Sequence, residues 1–198
     1  MSDYAVFLAV TDRTAQRMPT FSLTSLTIPS GRLGEAEQRA ASALAVLPPG
    51  VAWPDVEPAV RRQVVDRVRE VPHVAVDHVE HDRPRAGAWV CLRACLADLA
   101  TNSSLAAVAH RPHTVHLTGH PVPDPTAPLL VDAEAVHVDA EAHHPALARL
   151  TALLATAAPA SVTGALPDDE DPYDAFDSYT LGGLAEAGSR SPDSPSPQ

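Results

Sequence analysis

Two β-rich runs open the chain. Residues 4 to 10, YAVFLAV, are apolar enough for a buried central strand, while residues 20 to 28 alternate apolar, aromatic and hydroxyl side chains as a half-buried strand does. The polar segment between them holds Thr11 and Asp12, so the pattern predicts a hairpin with an acid just past its first strand. An acid there suits metal chemistry, and it equally suits an ordinary turn. From Leu33 onward, Leu33, Ala36, Ala40, Leu44 and Leu47 follow helical spacing until Pro48, Pro49 and Gly50 stop the run. A second helix is expected in DVEPAVRRQVVDRVREV. There Asp55 can cap, Pro58 sits in the first turn, and Val60, Val64, Val65 and Val68 form an apolar stripe. Arg61, Arg62, Arg67 and Arg69 fall mostly on its other side, which reads as a solvated face.

Pro72 then introduces a strand, HVAVDHVEH, with Val74, Val76 and His78 on one face and Ala75, Asp77 and Val79 on the other. Trp89, Leu92, Leu96 and Leu99 predict a helix that stops near Asn102. A short strand at Thr114 to Thr118 follows, then a proline-rich loop, then LLVDAEAVHVDAE, which reads as one interrupted strand or two short ones. Pro145 starts a last helix in which Leu147, Leu150 and Leu154, with neighbouring alanines, make an apolar and therefore buried surface. The mixture of hairpin strands and strand–helix units predicts an α/β domain with a mixed sheet.

Composition adds boundaries. A chain of 198 residues fits one domain, placed at 1 to 165, and the remainder, 166 to 198, is acidic and rich in proline and serine, a composition that predicts a disordered tail. Residues 1 to 165 hold seventeen acids against thirteen arginines, and 166 to 198 hold eight against one. The body therefore has no overall basic field, so a nucleic-acid role must rest on a local patch. No apolar run is long enough to span a bilayer. Cys91 and Cys95 lie four apart in a helical pattern and read as small core residues rather than ligands, which fits a reducing, cytoplasmic location. The chain shows no phosphate-cradling glycine loop, no nucleophile elbow and no internal repeat.

At this point AVTDRTAQRMPTFSLTSLTIPSGRL resembles the opening of the ribonuclease HII (type 2 ribonuclease H) family. In that family a strand ending Asp-Glu-Ala-Gly-Arg-Gly is followed by a second strand and by Ser-Lys-Lys-Leu at a helix start. The Asp-Glu pair falls on Thr11 and Asp12, and Ser-Lys-Lys-Leu on Ser30, Gly31, Arg32 and Leu33. HTVHLTG is similar to the strand that ends Val-Asp-Gly, with Thr118 at the aspartate position. EAVHVDAEAHHPALARLTALLA is similar to the segment bearing the last metal-binding aspartate, which falls on Glu141, or on Asp139 if the register slips, with Thr151 at the helix serine.

The resemblance covers roughly residues 4 to 157. It implies a ribonuclease H-like mixed central sheet flanked by helices, and a relationship to metal-dependent endonucleases that act on RNA in RNA–DNA hybrids. It also implies Asp12 and Glu141 as catalytic and metal-binding positions, with Asp139 as a further metal candidate and Thr11 and Thr118 as degenerate ones. Magnesium or manganese would be the cofactor of an active member, and Thr14, Ala15, Gln16 and Arg32 fall at substrate-contacting positions. Hard divalent cations need anionic oxygen ligands, and two of four acidic positions are threonine here, so the expectation leans away from an active enzyme, toward a catalytically impaired or inactive member retained for binding or regulation.

Two alternatives stand beside it. One is a hydrolase with a rebuilt His/carboxylate metal site, since His116, Thr118 and His120 share one face of an extended strand and ten histidines are present. The other is an acidic, immunity- or antitoxin-like protein that binds a protein partner through its tail, where Tyr173, Phe176 and Tyr179 make a candidate docking motif.

Overall fold

The computed structural model describes residues 2–13, 20–48, 51, 53–82, 88–118 and 126–157. Strand β1 (Tyr4–Arg13) pairs antiparallel with β2 (Thr20–Pro29), as the opening hairpin predicts. The strands run further toward each other than expected: Thr11, Asp12 and Arg13 lie inside β1, opposite Ser22, Phe21 and Thr20, rather than in a turn. Ladder hydrogen bonds to β2 hold their backbone extended despite the polar side chains. Helices α1 (Leu33–Leu44) and α2 (Pro58–Val68) follow, then β3 (Ala75–Asp82), α3 (Ala88–Asn102), the short α4 (Ala106–Ala109), β4 (His113–Thr118), β5 (Ala135–His137), the short α5 (Ala140–His143) and α6 (Pro145–Ala157).

The five strands are ordered β3-β2-β1-β4-β5. β2 is antiparallel to both β1 and β3, whereas β4 is parallel to β1 and to β5. Alternation along the strands sends Ala5, Phe7, Leu26, Ile28 and Val76 into a core beneath α1, α2 and α6. Val6, Leu8, Phe21, Leu23, Val115 and Leu117 go to the opposite face, under α3 and α4. This is the α/β architecture that the patterning predicts: a mixed sheet with a buried stripe of helix on each side. Cys91 and Cys95 are free, buried members of the second core, as expected of small apolar residues.

Three local expectations change. Arg61 is buried, 3% exposed, instead of solvated. It stands three, four and seven residues before Val64, Val65 and Val68, so helical geometry places it on the apolar stripe. Asp55 belongs to a separate turn, Trp53–Asp55, and the helix begins at Pro58 after Glu57, which makes no side-chain cap. Proline holds the residue before it extended, so the helix cannot start earlier. Of the segment LLVDAEAVHVDAE only Ala135–His137 forms a strand. Upstream, the chain turns through Leu129 at φ 72°, and the His113 ring lies between the carbonyl oxygens of Arg111, at 2.7 Å, and Leu129, at 2.8 Å, tying that turn to β4.

Candidate functional site at the carboxyl ends of β1 and β4

From β1 the chain moves outward through β2 and β3 on one side, then returns to add β4 and β5 on the other. The carboxyl ends of β1 and β4 thus flank the point where the winding reverses. In open α/β sheets this crevice is where ligands bind, because the connections leave it in opposite directions. Thr11 and Thr118 stand there. Thr118 pairs with Ala9, and Thr11 lies two residues further along β1, so both belong to the sheet face under α1 and α6.

The register builds this face in rows. The deepest row runs Val76, Leu26, Phe7, His116 and His137 across the five strands. Its last three rings stack: Phe7 and His116 are 4.7 Å apart at 13°, and His116 and His137 are 4.9 Å apart at 19°. Those distances are the spacing of neighbouring strands, about 4.8 Å, so the stack follows directly from register. His144, at the end of α5, meets Phe7 at 5.6 Å and His116 at 5.1 Å edge-on, and His143 meets His137 at 5.3 Å. Short α5 is thereby fastened to the sheet by imidazole contacts.

His116 is 4% exposed, and its Nδ1 has no hydrogen-bond partner among the described residues. Burial pushes its imidazole down to about 4, with repulsion from His144, His137 and His143 adding to the effect. His144 is lowered too, mainly by burial, although Glu37 opposes the shift. Glu37 reaches from α1 to accept hydrogen bonds from the N–H groups of Ala146 at 2.7 Å and Leu147 at 3.1 Å, a carboxylate at the start of α6 where the helix dipole favours it.

The next two rows toward the carboxyl end of β1 are polar. One runs His78, Thr24, Ala9 and Thr118; the other, Glu80, Ser22 and Thr11. Ser22 and Thr24 are 2% and 1% exposed, Thr24 Oγ1 is 2.8 Å from His78 Nδ1, and His78 Nε2 is 3.8 Å from the Glu80 carboxylate. These four residues were not anticipated. Their signal was present as hydroxyls at alternate positions of β2 and a His-x-Glu on β3, but only the pairing register puts them beside Thr11.

The residues singled out by resemblance are partly gathered here. Asp12 is on β1 opposite Phe21, with its side chain outside the described atoms. Asp139 precedes α5, where its carboxylate accepts from the Ala142 N–H at 3.1 Å, and Glu141 is exposed in the first turn of α5. Thr151 is buried in α6 and donates to the Leu147 carbonyl at 2.8 Å. Arg32 is on the surface, paired with Glu35 at 3.0 Å. Thr14, Ala15, Gln16, His120 and the tail from 166 to 198, with Tyr173, Phe176 and Tyr179, lie outside the described residues.

A pair of hard cations does not fit what is described. Thr11 and Thr118 are neutral, and Thr118 Oγ1 is buried without a hydrogen-bond partner among the described residues. Asp139 is committed to capping, and among the described residues no group of three or more His, Cys, Asp or Glu is placed to hold a metal. Stacked imidazoles present ring faces rather than convergent nitrogen lone pairs, so the His cluster is not a ready-made tetrahedral site either.

Strand order, strand sense and two helical layers define an α/β protein built on a mixed five-stranded central sheet. No family model matches the chain, and no curated protein does. Among solved structures, the chain is similar to the crystal structure of the ribonuclease H2 from Pyrococcus horikoshii OT3, with 10% sequence identity and a TM-score of 0.45 over 76% of this chain and 70% of that one. Among the described residues no helix is long and apolar enough to cross a membrane.

Proposed function

We propose that this chain is a ribonuclease HII-like protein that binds RNA–DNA hybrid without cleaving it through a two-metal mechanism. The observation that carries this reading is the pair Thr11 and Thr118, on one sheet face at the carboxyl ends of the two strands that flank the winding reversal. Two-metal hydrolysis of a phosphodiester needs clustered carboxylates to hold the cations and lower the pKa of the attacking water. Two hydroxyls in place of two carboxylates remove two negative charges from that cluster, and nothing among the described residues replaces them. What this end of the sheet retains is a row of neutral polar groups, Ser22, Thr24, Thr118 and Thr11, beside His78 and Glu80.

The test is an assay on duplexes containing one ribonucleotide and on full RNA–DNA hybrids, with magnesium and then manganese, for the wild type and Asp12→Asn. Binding is followed by fluorescence anisotropy and cleavage on denaturing gels. The expected result is binding by both proteins and cleavage by neither. Cleavage by the wild type that disappears in Asp12→Asn would refute the reading. Binding lost on truncation at residue 165 would move the function to the acidic tail.

A further inference from the structure

We propose that β3 is a self-association edge: two copies of the chain pair β3 against β3, antiparallel about a two-fold axis at Val79, and join their sheets into one. The inference concerns the opposite side of β2 from β1 and does not depend on hybrid binding.

β3 (Ala75–Asp82) closes one end of the sheet. It pairs with β2 along its whole length, from Thr27 opposite Ala75 to Thr20 opposite Asp82, and among the described residues no strand lies against its other side. An edge strand offers a row of backbone N–H and C=O groups to a further strand, and proteins ordinarily blunt it by keeping it short or by placing lysine or proline on it. β5, at the other end, is blunted by its length of three residues. β3 has eight residues, with neither lysine nor proline among them.

The side chains of β3 fit their own reverse. Asp77-His78-Val79-Glu80-His81 reads acid, imidazole, valine, acid, imidazole, and all five residues are half-buried. An axis normal to the sheet keeps every residue on its own face, so opposing residues are an even number of positions apart. Centred on Val79, the pairing sets Val79 against its copy, His78 against the second copy's Glu80, and Asp77 against the second copy's His81. Every acid of the run then faces an imidazole, whose N–H donates to a carboxylate in either protonation state. Moving the axis to Glu80 sets Glu80 against Glu80; moving it to His78 sets both acids against valines. Opposite charges across a pair stabilise it and like charges destabilise it, so the pattern selects one register.

Contacts within the chain hold these groups in place. Asp77 accepts the N–H groups of Ser104 at 3.0 Å and Leu105 at 3.1 Å, one on each oxygen, and each oxygen keeps a further acceptor site. His78 Nδ1 is 2.8 Å from Thr24 Oγ1, while its Nε2 is 3.8 Å from Glu80 of the same chain, beyond hydrogen-bonding reach. His81 Nε2 meets Asp98 of α3 at 2.7 Å. Helical spacing puts Ala94 and Thr101 beside Asp98, in a stripe with Val90 and Ala97, so this flank of α3 looks out past β3. Val90 is 56% exposed, and the Thr101 hydroxyl donates to the Ala97 carbonyl at 2.7 Å. In the paired sheet that small, uncharged stripe meets its copy.

The experiment is sedimentation velocity on a concentration series of the full chain at neutral pH, for wild type, His78→Glu, the exchange His78→Glu/Glu80→His, and Val90→Glu, with circular dichroism verifying each fold. The wild type should sediment as a dimer in equilibrium with monomer. His78→Glu sets glutamate against glutamate twice in each dimer and should weaken association at least about tenfold, and the exchange, which rebuilds both acid–imidazole pairs, should restore most of it. Val90→Glu alters an exposed position away from the strand ladder and should weaken association as well. A wild type that is monomeric throughout would overturn the inference. So would a dimer indifferent to both His78→Glu and Val90→Glu, or a folded exchange variant that associates no better than His78→Glu.

Discussion

Replacing His116 by Phe tests whether the ring column carries the pH dependence of the fold. The variant keeps an aromatic ring between Phe7 and His137 and removes a titratable group together with a buried nitrogen that has no described partner. In the folded protein His116 titrates at about 4 instead of its ordinary 6.5. That difference is worth on the order of 3 kcal/mol in total. The folded state resists the proton and the unfolded chain accepts it, so this contribution is present above the unfolded value and is lost as pH falls from 6.5 toward 4. Between pH 7 and pH 5 the loss amounts to about 2 kcal/mol. Urea unfolding followed by circular dichroism at those two pH values measures it, with other titrating groups common to both proteins. The wild type should lose about 2 kcal/mol more than His116→Phe on acidification. An equal loss in both would show that the buried imidazole is not a source of acid sensitivity.

Three further outcomes follow from the same contacts. Thr118→Val removes a buried hydroxyl with no described partner and nearly preserves shape, so urea unfolding should show a stability gain of about 1 kcal/mol; a loss would mean that the hydroxyl is bonded. Glu37→Ala deletes the acceptor for two N–H groups at the start of α6 and should cost about 1 to 2 kcal/mol, with Glu37→Gln recovering part of it in parallel thermal melts. The Cys95 thiol, raised to about 12 chiefly by burial, should resist a thiol-reactive dye in the native protein and react fully in denaturant; rapid native labelling would place it at the surface.

Much of the architecture can be read along the chain because it depends on local period. The β1–β2 hairpin, the helical stripes of α1, α2, α3 and α6, and the burial of Cys91, Leu96, Leu147 and Leu154 all follow from which residues recur every two or every 3.6 positions. The boundaries that moved are those where a neighbour intervenes. Pairing with β2 drew Thr11, Asp12 and Arg13 into β1, and the His113 contact with Leu129 accompanies a turn where a strand was expected. The site was legible only as isolated residues. Thr11 and Thr118 could be named as positions where carboxylates were expected, but their common face depends on the β1–β4 register. The imidazole column depends on register still more, since His116 and His137 are 21 positions apart in the sequence and meet because parallel pairing sets their strands about 4.8 Å apart. Periodicity determines which face of an element is buried. Which residues share that face across strands is decided by hydrogen-bonded pairing between distant segments, and here that pairing stacks His116 on His137 beside the point where the sheet reverses its winding.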